Sequence, residues 1–376
     1  MTGEGKTRSL RWPTGRRSAY SASAPTSAGV QPSSMPLKLV ELQDRFRAAV
    51  LGFAIGDALG FPFRGLPPPA LARQPFLGED FAARPRGGFA KGQFSDDTQM
   101  LMAVADSVTK ERKVDGRSAA QHLSWLWQEG TILHPQPGTN EAMEAILHGT
   151  PWMSAGAPLG VRDPGCLSRG VVLGLWSDPS PPKLAHQAQV LTVMTHKDPA
   201  CAAAVAAVAR AIQLGLEGTL LSPQHFCDEL SQVAAVCDQE LADELHYLPR
   251  VLAWDQERAT SALRKVGVPV SQHDLEQGLP ALVTPVLLTA IYAALKLPSD
   301  LRGALALVLR CGGEVDVAAG VVGAVLGASL GTEAIPARLR KHVLYAEALV
   351  ETADRLFDAK LEKVPVTSPA WATVKR

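Results

Sequence analysis

Gly312-Gly313-Glu314-Val315-Asp316-Val317-Ala318-Ala319-Gly320-Val321-Val322-Gly323-Ala324-Val325-Leu326-Gly327-Ala328-Ser329-Leu330-Gly331 is the stretch on which the fold turns. From Val315 to Leu330 it is the most apolar run of the chain, yet it holds Asp316 and four further positions of Gly or Ser. No apolar stretch reaches membrane-spanning length without interruption, so this one reads as a buried helix. Gly323, Gly327 and Gly331 recur every four residues, and Gly52, Gly56 and Gly60 do the same near the other end of the chain. An interior glycine costs a helix about 1 kcal/mol relative to alanine, so a repeated one needs a reason. A stripe of small residues lets a second helix backbone approach closely. The two glycine helices are therefore expected to pack together and to bring both ends of the domain into contact.

Outward from this pair the chain continues as helix. Leu39, Leu42, Phe46, Val50, Phe53 and Ile55 fall on one broad helical face that runs to about Leu59, where Pro62 and Pro67 to Pro69 end it. A long Pro, Gly and Arg-rich loop reaches Phe94, and loops of that length inside a domain are usually functional. Helical periods follow at 97–112, 117–129, 139–148, 183–194, 198–217, 222–236, 239–254, 257–266, 281–296, 299–311, 315–330 and 337–358, with a short helix near 167–175 in a second Gly/Pro-rich region. No segment alternates strictly enough for a strand. The expected fold class is all-α, a single compact multi-helix domain over residues 38–360.

The 376 residues carry 37 Lys plus Arg and 37 Asp plus Glu, a balance that gives no nucleic-acid or acidic-membrane signature. Hydrophobic residues at 46% and charged residues at 20% suit a soluble core. The five cysteines, Cys166, Cys201, Cys227, Cys237 and Cys311, are odd in number and show no C-x-x-C spacing, which argues against a zinc site or a disulfide framework and for a reducing, cytoplasmic compartment. Residues 1–37 are basic, rich in Ser, Gly and Pro, and read as a disordered tail. An organelle transit peptide and a true start at Met35 remain alternatives for that segment. Residues 361–376 read as a flexible C-terminal tail.

Ser95-Asp96-Asp97-Thr98 is a second acidic cluster, far upstream of Glu314-Val315-Asp316 and also at the expected start of a helix. Such residues make an ordinary N-cap, because the hydroxyl accepts from free backbone N–H groups and the carboxylates complement the helix dipole. Brought together, the two clusters also make an oxygen-rich shell of the kind Mg²⁺ takes. Hydrolytic or phosphate-related chemistry would follow.

Four motifs add to this. Gly56-Asp57-Ala58-Leu59-Gly60, Gly92-Gln93-Phe94-Ser95-Asp96-Asp97-Thr98-Gln99-Met100, Thr195-His196 and Gly312-Gly313-Glu314-Val315-Asp316, the last followed by the glycine-rich helix and Ile335-Pro336, stand in the order and spacing of the ADP-ribosylglycohydrolase family. Over roughly residues 38–350 the chain resembles that family. The resemblance implies an all-helical fold with two Mg²⁺ or Mn²⁺ ions in a cleft. It also implies hydrolysis of ADP-ribose from a modified protein side chain or from a small ADP-ribose conjugate. It carries metal ligation onto Ser95, Asp96 and Asp97, with Asp96 or Asp97 also serving as base, and onto Glu314 and Asp316.

The same comparison exposes departures. In the family the second motif reads Gly-Gly-Asp-Thr/Ser-Asp-Thr/Ser, and here the three ligand positions are Glu314, Asp316 and Val317. Glutamate adds a methylene, and valine removes a hydroxyl ligand that water would have to replace. Beyond the first motif, where many members place a glutamate, this chain has Phe61-Pro62-Phe63-Arg64. Arg64 reads as a fixed cation in that glutamate's place, as a grip for pyrophosphate, or as a surface arginine, the last being preferred. These departures support an alternative, a catalytically impaired member that binds ADP-ribose or a protein partner without turnover.

Gly165-Cys166-Leu167-Ser168-Arg169 resembles a worn form of a family loop that lines the substrate cleft, which makes Arg169 a candidate ligand-binding residue beside the reading as a structural ion pair. His196 reads as a packing or capping residue and Asp57 as a buried hydrogen-bond acceptor behind the site. The chain has no G-x-G-x-x-G or Walker A sequence. His273-Asp274 lacks supporting histidines for a phosphohydrolase pair, and Met100 breaks a D-D-x-x-D pattern.

Overall fold

The two glycine helices do meet. The computed structural model describes residues 38–74, 77–82, 88–273 and 278–363; the expected tail 1–37, Asp274 and all of the expected tail 361–376 except 361–363 lie outside them, and those three residues continue helix Ala346–Lys363. Helices Leu39–Gly60 and Val315–Leu330 run antiparallel with their backbones in contact: Ala48 lies on Gly327, Gly52 on Gly323, Gly56 on Ala319 and Gly60 on Asp316. A Cβ at Gly52 would stand 2.1 Å from the Gly323 carbonyl oxygen, and one at Gly327 would stand 2.2 Å from that of Ala48. The contact exists only because these side chains are absent. Gly331 does not extend the stripe; it caps the helix at φ 80°.

Further helices wrap this pair. Pro199–Glu217, Val283–Lys296 and Leu301–Leu309 pack on the Val315–Leu330 helix, and Ala346–Lys363 packs on the first helix, where Phe46 and Phe357 meet edge to face at 5.2 Å. Seventeen α-helices and no strand occur among the described residues. Two of them, in Leu39–Phe63 and Pro199–Glu217, are long and apolar enough to cross a membrane, contrary to the expectation that none would be; 89% of each apolar window is buried against protein. Several helix starts carry aspartate caps. Asp115, Asp198, Asp238, Asp255 and Asp300 each accept a backbone N–H at an N-terminus, worth about 1 kcal/mol apiece.

The helix expected over 337–358 is two helices, Ala337–His342 and Ala346–Lys363. The break is tertiary in origin: Leu344 N–H donates to the Gly92 carbonyl at 3.0 Å, and Tyr345 takes φ 58°. It braces the strip of chain that leads into Ser95.

Candidate functional site

Asp57 sets the first half of the site. It sits on the buried face of the first helix, and its carboxylate accepts from Ser95 N at 3.1 Å, Thr98 N at 3.2 Å and Thr98 Oγ1 at 2.6 Å. Those bonds fix the turn that starts helix Asp96–Glu111. Ser95 is its N-cap, with Oγ accepting from Asp97 N at 3.2 Å. Asp96 N donates to the Leu133 carbonyl. The capping reading of this motif is therefore realised by Ser95, while the buried Asp96 and Asp97 carboxylates take no part in capping.

Gly312 and Gly313 set the second half. Both adopt positive φ, 65° and 75°, and a Cβ at Gly313 would lie 2.0 Å from the Leu279 carbonyl oxygen, so only glycine fits there. Gly313 N donates to Leu66 O at 2.8 Å and Gly65 N to Gly313 O at 3.0 Å. This backbone staple clamps the loop after the first helix onto Glu314 and delivers Arg64 to the acidic cluster.

Arg64 is not a surface arginine. Its Nε lies 3.2 Å from Glu314 Oε2 and 3.3 Å from Asp316 Oδ2, and its Nη1 lies 3.4 Å from Asp96 Oδ1 and 3.1 Å from the His134 carbonyl. With the guanidinium committed to three carboxylates, a grip on pyrophosphate is also set aside. Burial works against its charge, yet Asp316, Glu314, Asp96 and Asp97 outweigh that and hold its pKa above the ordinary arginine value. One cation does not balance the cluster. Burial first, and then neighbouring carboxylates, push Asp97 well above the usual carboxyl range; burial does the same to Asp96 against the pull of Arg64. Asp57 and Glu314 are each raised to about 7, by burial and then by Asp316.

Four buried oxygens in this cluster have no hydrogen-bond partner: Asp96 Oδ2, Asp97 Oδ1 and both oxygens of Asp316. Buried carboxylate oxygens without donors are costly unless a cation meets them. Ser95, Asp96, Asp97 and Asp316 thus offer oxygen donors of the chemical kind a hard divalent ion takes. Elsewhere in the second motif no free donor is offered: Glu314 is taken by Arg64 and by Gln136 Nε2 at 2.8 Å, and Val317 is packed in the core.

Sequence reasoning missed Gln136 and the His134 carbonyl, both in a Pro-rich segment without a helical period. It also missed the aromatic group beside Arg64, where Phe61, Phe89 and His134 pack with ring centroids 5.0–5.8 Å apart. The expected ligand role of Arg169 is not supported. Its side chain is fully buried, and Nη1 donates to Leu191 O at 2.7 Å and Thr195 Oγ1 at 2.6 Å, which makes it a brace between elements. His196 is likewise buried, 2.9 Å from Asp163.

An all-helical domain with convergent carboxylates at two helix starts defines the class of protein. Over residues 39–364 the chain matches the family model for ADP-ribosylglycohydrolase, and it belongs to that family. It is 26% identical to an uncharacterized protein of Archaeoglobus fulgidus over 326 residues, covering 87% of this chain and all of the relative. It is also 26% identical to ADP-ribosylhydrolase ARH3 of Danio rerio over 353 residues, 85% of this chain and 91% of that protein. Among solved structures an ADP-ribosylglycohydrolase-related protein superposes with a TM-score of 0.65 over 85% of this chain and 99% of its own, at 22% identity, a likeness of fold. Membership in this family supports hydrolysis of ADP-ribose conjugates as the general activity.

Proposed function

We propose that this protein releases ADP-ribose from a modified side chain or small conjugate, using one divalent ion held by Ser95, Asp96, Asp97 and Asp316 and a second, built-in cation, Arg64. The reading rests on four buried carboxylate oxygens that lack hydrogen bonds, with the Arg64 guanidinium as the one cation that ion-pairs to the cluster among the described residues. Mg²⁺ or Mn²⁺, held by Ser95, Asp96, Asp97 and Asp316, would supply Lewis-acid charge for the reaction. Asp96 or Asp97 takes the proton of that water as its oxygen adds to the anomeric carbon, and the bond to the side chain breaks with its electron pair leaving on the departing nitrogen or oxygen. Arg64 holds Asp96, Glu314 and Asp316 in register without an ion of its own.

A second reading, binding of ADP-ribose without turnover, is favoured by the ion pairs that tie Arg64 to Asp96 and Glu314. Free ADP-ribose released from arginine-linked and serine-linked peptides, with and without Mg²⁺ or Mn²⁺, separates the two. Ion-dependent release supports hydrolysis; ADP-ribose binding with no release supports the second reading.

A further inference from the structure

A buried cluster unused by the carboxylate site lies at the start of helix Pro199–Glu217. Cys166 ends the short turn Pro164–Cys166, Cys201 stands in the first turn of the helix, and His196 lies just before it. Their spacing in sequence shows no zinc pattern, but the fold brings one ligand atom of each within 4.8 Å of the others, all three residues being buried. Asp163, the cap of the same turn, adds a carboxylate whose Oδ1 is 2.9 Å from His196 Nε2.

Ordinary hydrogen bonds leave this cluster unsatisfied. His196 Nε2 and Asp163 Oδ2 are buried without a hydrogen-bond partner, since the short contact between the two residues lacks the alignment an N–H donor needs. The thiols are loosely held: Cys166 Sγ reaches the Cys201 carbonyl at 3.9 Å and Cys201 Sγ the Val161 carbonyl at 4.0 Å. By contrast, His196 Nδ1 is fixed by Thr195 Oγ1 at 3.0 Å, which orients the ring as the second nitrogen of a metal-ligating histidine is usually oriented.

We propose that Cys166, Cys201, His196 and Asp163 form a closed, structural Zn²⁺ site that ties the Asp163–Cys166 turn to the start of helix Pro199–Glu217. Two thiolates, an imidazole and a carboxylate are a tetrahedral zinc set, whereas the carboxylate cluster around Arg64 is an oxygen set, so donor chemistry assigns different ions to the two sites. Zn–N and Zn–S bonds of about 2.0 and 2.3 Å imply ligand-to-ligand edges below about 4 Å, so the ligand atoms of Cys166, Cys201 and His196, which lie within 4.8 Å of one another, need small shifts and Asp163 must draw back slightly from His196. Binding replaces two thiol protons with one divalent charge, so the net charge of the pocket is unchanged.

The test is metal content. Protein expressed with zinc in the medium and passed through gel filtration should retain about one equivalent of Zn²⁺, both as wild type and as Asp97→Ala. Cobalt in its place should show the visible ligand-field bands of a tetrahedral thiolate site, and Cys201→Ser should lose both signals. If that variant does not fold, the wild-type zinc content and cobalt spectrum decide alone. Substoichiometric zinc, a cobalt spectrum without thiolate bands, or a Cys166–Cys201 disulfide in the peptide map would overturn the proposal.

Discussion

The Arg64 guanidinium lies 3.3 Å from the Asp316 carboxylate, joining the loop after the first helix to the start of the glycine-rich helix at the far end of the chain. It is placed there by the backbone bonds between Gly65, Leu66 and Gly313 rather than by its own reach. The cation is thus as much a part of the fold as the carboxylates are.

Removing it should cost stability. Arg64→Met in the presence of a chelator leaves Asp96, Glu314 and Asp316 without their partner, and breaking a buried ion pair from one side costs about 3–5 kcal/mol. Urea unfolding should show the midpoint falling by that equivalent and recovering in part when Mn²⁺ is added. An unchanged midpoint would mean that Arg64 does not hold the cluster.

Removing a carboxylate should act in the opposite direction on ion-free protein. Asp316→Asn deletes a charge from a cluster with more buried carboxylates than cations, so without ion the variant should gain on the order of 1 kcal/mol. With Mn²⁺ present it should lose the stabilisation that wild type shows. Asp97→Ala should lose ion affinity as well, and loss in one variant with retention in the other would separate the two motifs.

The glycine contacts give a third test, independent of the site. Gly56→Ala places a methyl 2.1 Å from the Ala319 carbonyl oxygen, and backbone cannot move aside as a side chain can. A loss of about 3 kcal/mol, the upper end of ordinary overpacking, is expected in urea unfolding.

Glu244 predicts a pH dependence. It is buried on helix Gln239–Val251, and burial, then Glu240 and Asp243, pushes its carboxyl up from 4.5 to about 7. The folded protein keeps a proton that the unfolded chain releases from pH 4.5 upward, so stability from this group is full below 4.5 and lost as pH rises through about 7. Glu244→Gln should therefore stabilise by on the order of 2 kcal/mol at about pH 8 and leave the urea midpoint unchanged at about pH 4.

Much of this fold was legible because its signals are local. Helical periods mark the helices, and Gly52, Gly56, Gly323 and Gly327 name the central contact. The break at Val343 was not legible, because it arises from a bond between Leu344 and Gly92, which no local period encodes. Ser95, Asp96, Asp97, Glu314 and Asp316 were readable as one cluster through motif order. Arg64 was misread for the same reason as the helix break: its place depends on pairing of Gly65 and Leu66 with Gly313. For Arg169 the sequence left a ligand role and a structural role side by side, because an arginine in a loop motif does not reveal that its neighbours will bury it completely.

Ion stoichiometry tests the central claim most directly. Calorimetric titration of zinc-loaded wild type with Mn²⁺ at saturating concentrations should find one Mn²⁺ per chain, lost in Asp97→Ala, because Arg64 fills the remainder of the carboxylate cage. Two Mn²⁺ per chain with Arg64 intact, or none at all, would contradict a site shared between one ion and one arginine.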